Sequence, residues 1–388
     1  LSGAIKTRII TEGLTKLVVP ENDEPSKYPS FFNSRGKFVR DVSIVCYKAF
    51  SSMKEKSGET GECLSFADCL CGTGARGIRV ANELSDHYGK VFLNDISSTS
   101  VELAARSARE NHAKERCFLS NEESCGFMLT RKGNSGDRFD VVDIDPFGTP
   151  SPFVDCALRA IKHQGLLSVS ATDTAVLCGV YPKVAQRKYL GLPLRTEYSH
   201  EIGMRLIFGL LAMDAMRLES SIKPVFCHHD MHYFRAYCLV EVGNNYSRQN
   251  ENDIGYVLHC FKCGFRNVMK REVFLLDFEN QSKCPECESI MKIGGPMWVG
   301  KIQSKDFVEK CAQISELSIF EPESDIPLYY DLSEISDNLE TRTPKISDVM
   351  KELELSGHSA TRTRLNPTAV RTEAHLREVQ KIVARLSR

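Results

Sequence analysis

Long apolar runs are missing from this 388-residue sequence. The best candidate, Ile202 to Met216, is broken by Arg205 and Asp214. It falls short of the roughly 18 clean residues that a membrane-crossing helix needs, so it reads as a buried helix and no membrane contact is expected. A surplus of charge is missing too: 50 Lys and Arg against 51 Asp and Glu leave a net charge of −1. That excludes a uniformly basic surface and confines any nucleic-acid contact to local patches. Low-complexity tracts and internal repeats are absent, and 42% hydrophobic with 26% charged residues is the make-up of a folded chain. The opening segment LSGAIKTRII has no basic stretch leading into an apolar one, so secretion is not expected. Cysteine, by contrast, is plentiful. There are 15, and several stand singly in apolar segments (Cys46, Cys156, Cys178, Cys227, Cys238), as reduced core thiols do. A cytoplasmic setting is expected, or a nuclear one in a eukaryote.

The length favours at least two domains. After a Pro/Asn/Asp-rich loop (VPENDEPSKYP), read as an entrance arm, a helical pattern runs from Gly36 to Lys56. From Leu64 short apolar strands alternate with amphipathic helices: LSFADCL, ARGIRVANEL; KVFLNDI, SVELAARSARENHA; FDVVDIDP, SPFVDCALRAI; GLLSVSAT. That alternation predicts a mostly parallel sheet covered on both faces. PVFCHHDMHYF and FRAYCLVEVG then read as a closing antiparallel hairpin, giving the α/β, Rossmann-like layout of class I methyltransferases. The polar stretch NNYSRQNEND marks a boundary. Residues 1–243 are expected to form the catalytic domain, and residues 244–388 an α+β C-terminal domain with a cysteine-rich knuckle at 257–297.

The first strand runs into Asp68-Cys69-Leu70-Cys71-Gly72-Thr73-Gly74-Ala75-Arg76-Gly77, a GxGxxG turn between strand and helix. Glycines there let backbone approach a nucleotide-type cofactor, and Asp95 at the end of the next strand suits a ribose diol. A dinucleotide oxidoreductase shares these features. Asp68 tips the balance, because it would repel a pyrophosphate and welcome an aminoacyl ammonium. Arg76 offers a planar fork for a carboxylate. Together they describe the methionine end of S-adenosylmethionine, and Glu123 in FLSNEES stands where it would accept from the adenine amine.

The fourth strand ends in Asp145-Pro146-Phe147-Gly148. A carboxylate at a strand's C-terminal edge in an open sheet sits where ligands bind. The exocyclic amine of a base is a poor nucleophile because its lone pair is delocalised into the ring. Two acceptors, the Asp145 carboxylate and the Pro146 carbonyl, would hold its hydrogens and aim that lone pair at a methyl sulfonium, with Phe147 as a flat face for the base.

Cys260-x-x-Cys263 and Cys284-x-x-Cys287 have the spacing of a structural, four-thiolate zinc site with no open position. The adjacent His259 is left out, and His228, His229 and His232 are read as core or surface residues. The stretch from Ser356 onward places Arg362, Arg364, Arg371 and Arg377 in a loop and helix suited to phosphate contacts.

These segments, together with EGLTKLVVP, FFN followed by Arg40-Asp41, GTGARGIR, NDIS, DIDPFGTP, TDTAVLCG, YLGLPLRTEYSHEIGMRL and SGHSATRTRLNPTAVRT, resemble the tRNA (guanine(26)-N2)-dimethyltransferase family over nearly the whole chain. The resemblance implies successive methylation of the N2 amine of guanosine 26 in tRNA, giving N2-methyl- and N2,N2-dimethylguanosine. It implies donor binding by Arg40, Arg76, Asp95, Glu123 and Ser124, catalysis by Asp145, and a guanine contact from Phe31 or Phe32. The sequence departs from the family pattern at Ser34, Val39 and the Glu123-Ser124 pair. No obligate protein partner is expected. The rival readings are an amine methyltransferase acting on ribosomal RNA or protein, and an RNA-binding protein with a degenerate donor pocket.

Overall fold

The computed structural model describes residues 5–21, 30–56, 63–130, 138–230, 232–276, 282–321 and 323–387. Most of the loop read as an entrance arm, residues 22–29, therefore lies outside the described residues. An N-terminal ribbon, β1 (Thr7–Glu12) paired antiparallel with β2 (Thr15–Pro20), precedes α1 (Lys37–Lys56). A seven-stranded sheet follows, built from β3 (Leu64–Asp68), β4 (Tyr88–Asn94), β5 (Cys117–Ser120), β6 (Phe139–Ile144), β7 (Ile161–Ala171), β8 (Ser220–Asp230) and β9 (Tyr233–Val242). Its order is β5-β4-β3-β6-β7-β9-β8. The first five pair in parallel, whereas β9 runs antiparallel to both β7 and β8. This is the expected parallel sheet with a closing hairpin.

Strand order reverses between β3 and β6, which opens a crevice beyond their C-terminal ends. Strands in such a sheet are buried on both faces, and in β6 Phe139, Val141, Val142 and Ile144 are all buried. One face is covered by α1, α2 (Ala75–Glu83) and α3 (Ser98–Glu110), with Tyr47, Ile78 and Ala104 in a common core. The other is covered by α4 (Ser124–Leu129), α5 (Val154–Ala160) and α8 (Ser199–Arg217), with Phe127, Ala157 and Leu206 in theirs. The interrupted apolar run is this α8, buried on all sides. At Gly209 a Cβ would stand 3.0 Å from the Met297 Cα, so only glycine lets a strand from beyond residue 243 lie against the helix. Between β7 and α8 come α6 (Thr174–Leu177) and α7 (Pro182–Tyr189).

Segments after Gly243 pack into both layers: Ile254, Met297, Trp298 and Leu365 join the α8 side, and Phe307, Cys311 and Phe320 the α1 side. Strands β10 (Ile254–His259), β11 (Arg266–Lys270) and β12 (Lys292–Trp298) form a sheet ordered β11-β10-β12. The region after 305 adds helices and a small sheet of Tyr330–Asp331, Thr361–Thr363 and Asn366–Arg371.

Two readings change here. Cys156 is not a free thiol: α4 and α5 lie side by side, and Cys156 is joined to Cys125 with their Cα atoms 5.4 Å apart, while Cys46, Cys178, Cys227 and Cys238 are free. The basic tail is also partly consumed inside the fold. Arg371 is 1% exposed. Its Nη1 lies 2.7 Å from Glu201 Oε2, and its Nε 2.9 Å from Glu323 Oε2. Arg364 Nε is 2.7 Å from Glu323 Oε1. Only Arg362 and Arg377 of the four are exposed, and Arg377 pairs with Glu286. Glu201 is fully buried and shared between Arg371 and Arg205, so removing Arg371 takes away one of its two countercharges and leaves Oε2 in the core without its cation. Arg371→Met is expected to cost about 3–5 kcal/mol in denaturant unfolding; a loss below about 1 kcal/mol contradicts a structural role for this pair.

Candidate active site

The glycine loop leaves β3 and enters α2. Gly72 and Gly74 hold φ of +54° and +77°, the left-handed region where glycine is unstrained. At Gly74 a Cβ would also come within 2.7 Å of the Ala104 Cβ, so the loop seats directly on α3. Asp95, just past β4, binds this loop: Oδ2 accepts from Gly72 N at 2.8 Å and Oδ1 from Ser97 N at 2.9 Å. Asp68 is buried at the end of β3, where Oδ2 accepts from Gly77 N at 3.2 Å and Oδ1 has no partner. The buried hydroxyl of Ser124, at the start of α4, has none either. Two partnerless polar atoms flanking one crevice are what a polar ligand would satisfy. Glu123, expected as an adenine contact, is the N-cap of α4, its carboxylate accepting from Cys125 N at 3.0 Å and Gly126 N at 2.8 Å.

Asp145 closes β6 with its side chain 32% exposed. Arg76 Nη1 lies 2.7 Å from Asp145 Oδ2, and Arg76 Nε lies 3.4 Å from Asp143 Oδ2. The fork assigned to a donor carboxylate is thus engaged by the catalytic candidate. Beneath it Asp143, fully buried, receives Arg235 Nη2 at 2.7 Å and the Tyr47 hydroxyl. Arg235 Nη1 donates to Ser170 Oγ at 2.6 Å. Three carboxylates and two guanidiniums therefore share one buried corner. Burial alone pushes the Asp145 carboxyl up, but the charges of Arg76 and Arg235 outweigh it and hold it at about 2. Asp68 goes the other way: burial, with repulsion from Asp143 and Asp145 against a partial offset by Arg76, pushes it up to about 7.

The turn after Asp145 is clamped to β7, since Gly148 N donates to Thr172 Oγ1 at 2.7 Å and Thr172 N to Gly148 O at 2.8 Å. It presents Phe147, 81% exposed, whose ring centroid is 5.8 Å from that of Phe31 at an interplanar angle of 47°. Phe32 points into the core. Of the two candidates, Phe31 stands at the site. Arg40, another expected donor contact, is buried over the Phe32 ring and held bidentately by Glu12 at 2.8 and 2.6 Å. It braces the N-terminal ribbon against the segment carrying Phe31.

Tyr47, Asp143, Ser170 and Arg235 escaped the sequence reading. A signal existed for two of them: Asp143 is two residues before Asp145 and so shares its face of the strand, and Arg235 interrupts the apolar and aromatic start of β9.

The four cysteines converge as their spacing requires. Their Sγ atoms all lie within 4.8 Å of one another, with Cys260–Cys287 and Cys263–Cys284 at 3.5 Å. Tetrahedral zinc with bonds of about 2.3 Å needs sulfurs about 3.8 Å apart, so the set fits. His259 faces elsewhere, 2.7 Å from the Tyr198 hydroxyl. Among the described residues no other group of metal ligands converges, and no helix is long and apolar enough to cross a membrane.

The family described as N2,N2-dimethylguanosine tRNA methyltransferase matches residues 6–384. The tRNA (guanine(26)-N(2))-dimethyltransferase of Methanobrevibacter smithii is 34% identical, covering 98% of each chain. A relative in Aquifex aeolicus, named tRNA (guanine(26)-N(2)/guanine(27)-N(2))-dimethyltransferase, is 34% identical over 77% of this chain and 73% of its own. Among solved structures, Trm1 from Pyrococcus horikoshii in complex with S-adenosyl-L-methionine superposes with a TM-score of 0.81 at 28% identity, covering 97% of this chain and 99% of that one. With the family matched from end to end, this chain is a member of the N2,N2-dimethylguanosine tRNA methyltransferases.

Proposed function

We propose that this chain methylates the N2 amine of guanosine 26 in tRNA, using S-adenosylmethionine, at the corner formed by Asp145, Phe147 and Phe31. The observation that carries the reading is the placement of an ionised, partly exposed carboxylate on the strand next to the one that leads into the glycine loop. The donor supplies an electrophilic methyl. Asp68 Oδ1, partnerless in the crevice, takes its ammonium; Gly72 and Gly74 admit the backbone closely; Asp95 and the Ser124 hydroxyl serve the nucleoside end. Arg40 acts indirectly, by fixing the arm that bears Phe31. Arg76 is a positioning residue, holding Asp145 ionised and aimed.

On the acceptor side, Phe31 and Phe147 flank the guanine. The Asp145 carboxylate and Pro146 carbonyl each accept one N2 hydrogen, which turns the nitrogen lone pair toward the methyl carbon. A carboxylate held at about 2 is a weak base. It suffices, because the nitrogen becomes cationic and strongly acidic as the new bond forms. Residues 1–243 carry this chemistry in our reading. Residues 244–388, knitted into the same core, bind tRNA and use Cys260, Cys263, Cys284 and Cys287 to hold zinc as a structural tie. A cytoplasmic setting, with its supply of tRNA, suits this activity.

Asp145→Ala is expected to lower methyl transfer by about a hundredfold to ten-thousandfold, with S-adenosylhomocysteine affinity changing far less. Mass spectrometry of tRNA nucleosides reads the first and calorimetry the second; near-normal dimethylguanosine formation removes Asp145 from catalysis. Asp68 makes donor binding depend on pH. As pH falls through about 7 the carboxyl takes up a proton and loses its pull on the ammonium. S-adenosylhomocysteine affinity should therefore fall by up to about tenfold per pH unit below that point. The slope should vanish in Asp68→Asn, and a flat profile in the unsubstituted chain contradicts the assignment. Cys284→Ser should lose zinc and lower the unfolding temperature; a full metal complement measured in that variant refutes the four-thiolate site.

A further inference from the structure

With Arg364 and Arg371 engaged by carboxylates inside the fold, cations for a polyanion must also come from elsewhere. From Thr174 to Thr196 the sequence holds Lys183, Arg187, Lys188 and Arg195 and no carboxylate. In a chain with a net charge of −1 this is a local concentration of positive potential. Helix α7 turns Ala185 and Tyr189 inward and exposes Lys183, Gln186 and Arg187. Lys183 and Arg187 are four positions apart, so they stand one turn above the other on the outer side. Tyr181, 56% exposed, precedes the helix, and Arg195 is exposed after it. Among the described residues only Lys188 of these four cations is in an ion pair, with Asp173.

A charged helix face usually serves solubility alone, and then it carries both signs. This one has a single sign and is fastened to the catalytic turn. The Tyr189 hydroxyl donates to Asp173 and meets the hydroxyl of Thr149. Asp173 follows Thr172, which clamps Gly148 three residues after Asp145. Asp145, its turn, the end of β7 and α7 therefore form one connected rim at the mouth of the crevice.

We propose that the outer side of α7, with Lys183, Arg187, Arg195 and Tyr181, binds the sugar-phosphate backbone of the RNA whose guanine enters at Asp145, an inference that rests on the tRNA reading above. The cations take phosphates next to the flipped nucleotide, and Tyr181 gives an unstacked base a flat surface. Contacts so close to the reacting corner fix the register of the strand.

The test is the affinity of Lys183→Ala/Arg187→Ala for an unmodified tRNA transcript, measured over a series of KCl concentrations. Losing two phosphate contacts should reduce the slope of log affinity against log salt by about 2 and weaken binding about tenfold or more at moderate salt. Thermal unfolding and S-adenosylhomocysteine affinity should stay as in the unsubstituted chain. Arg195→Ala should lower the slope by about 1. If the unsubstituted chain binds and methylates the transcript and the double variant keeps its affinity and slope, the surface is refuted and the activity stands. If the unsubstituted chain neither binds nor methylates the transcript, the tRNA reading falls and the surface falls with it.

Discussion

The buried carboxylate of Asp143 is the constraint around which the molecule is arranged. A lone ion in such a place costs several kcal/mol. It is tolerated here because Arg235 from β9, Arg76 from α2 and the Tyr47 hydroxyl from α1 converge on it. Those three elements lie far apart in sequence, so the charge network fixes how the helices and the closing hairpin sit against the central strands. The same guanidiniums set the state of Asp145. Arg76 reaches it directly and Arg235 acts through space, which keeps the carboxylate ionised at the mouth of the crevice. Burial, with the repulsion that remains from Asp143 and Asp145, raises the proton affinity of Asp68. Structural charge and chemical charge thus belong to one system.

Much of this was readable from the sequence because it is local. The strand-helix alternation, the Gly72-Thr73-Gly74 turn, Asp145 with its proline and the paired cysteines are all encoded within a few residues, and each lies where its spacing implies. What escaped depends on partners distant in the chain. Arg40 has a partner that only the fold reveals, Glu12, 28 positions earlier. Arg371 looks like a phosphate contact until Glu201 and Glu323 are found around it. Glu123 has a local role outside the sequence reading: its carboxylate folds back onto the first turn of its own helix, a position more often taken by Ser, Thr, Asp or Asn. The choice between Phe31 and Phe32 required knowing which one faces the sheet edge.

Charge balance carries a further lesson. A net charge near zero does not argue against a polyanionic partner when cations are unevenly committed. Some arginines here stitch the C-terminal segments to α8, whereas Lys183 and Arg187 on α7 are exposed. The cysteine knuckle and the C-terminal segment each have a small apolar cluster of their own, around Leu258, Phe274 and Met291 in the first and Leu332, Val349, Leu353 and Val383 in the second.

In the proposed mechanism the amine to be methylated meets the carboxylate ending β6 between two phenylalanine rings. A crystal structure of the chain with S-adenosylhomocysteine and a tRNA bearing guanosine 26 tests it most directly. The proposed mechanism requires the donor sulfur over the Gly72 turn, the guanine between Phe31 and Phe147, and its N2 within about 3 Å of an Asp145 oxygen. A guanine seated elsewhere, or an Asp145 carboxylate turned away from the base, contradicts it.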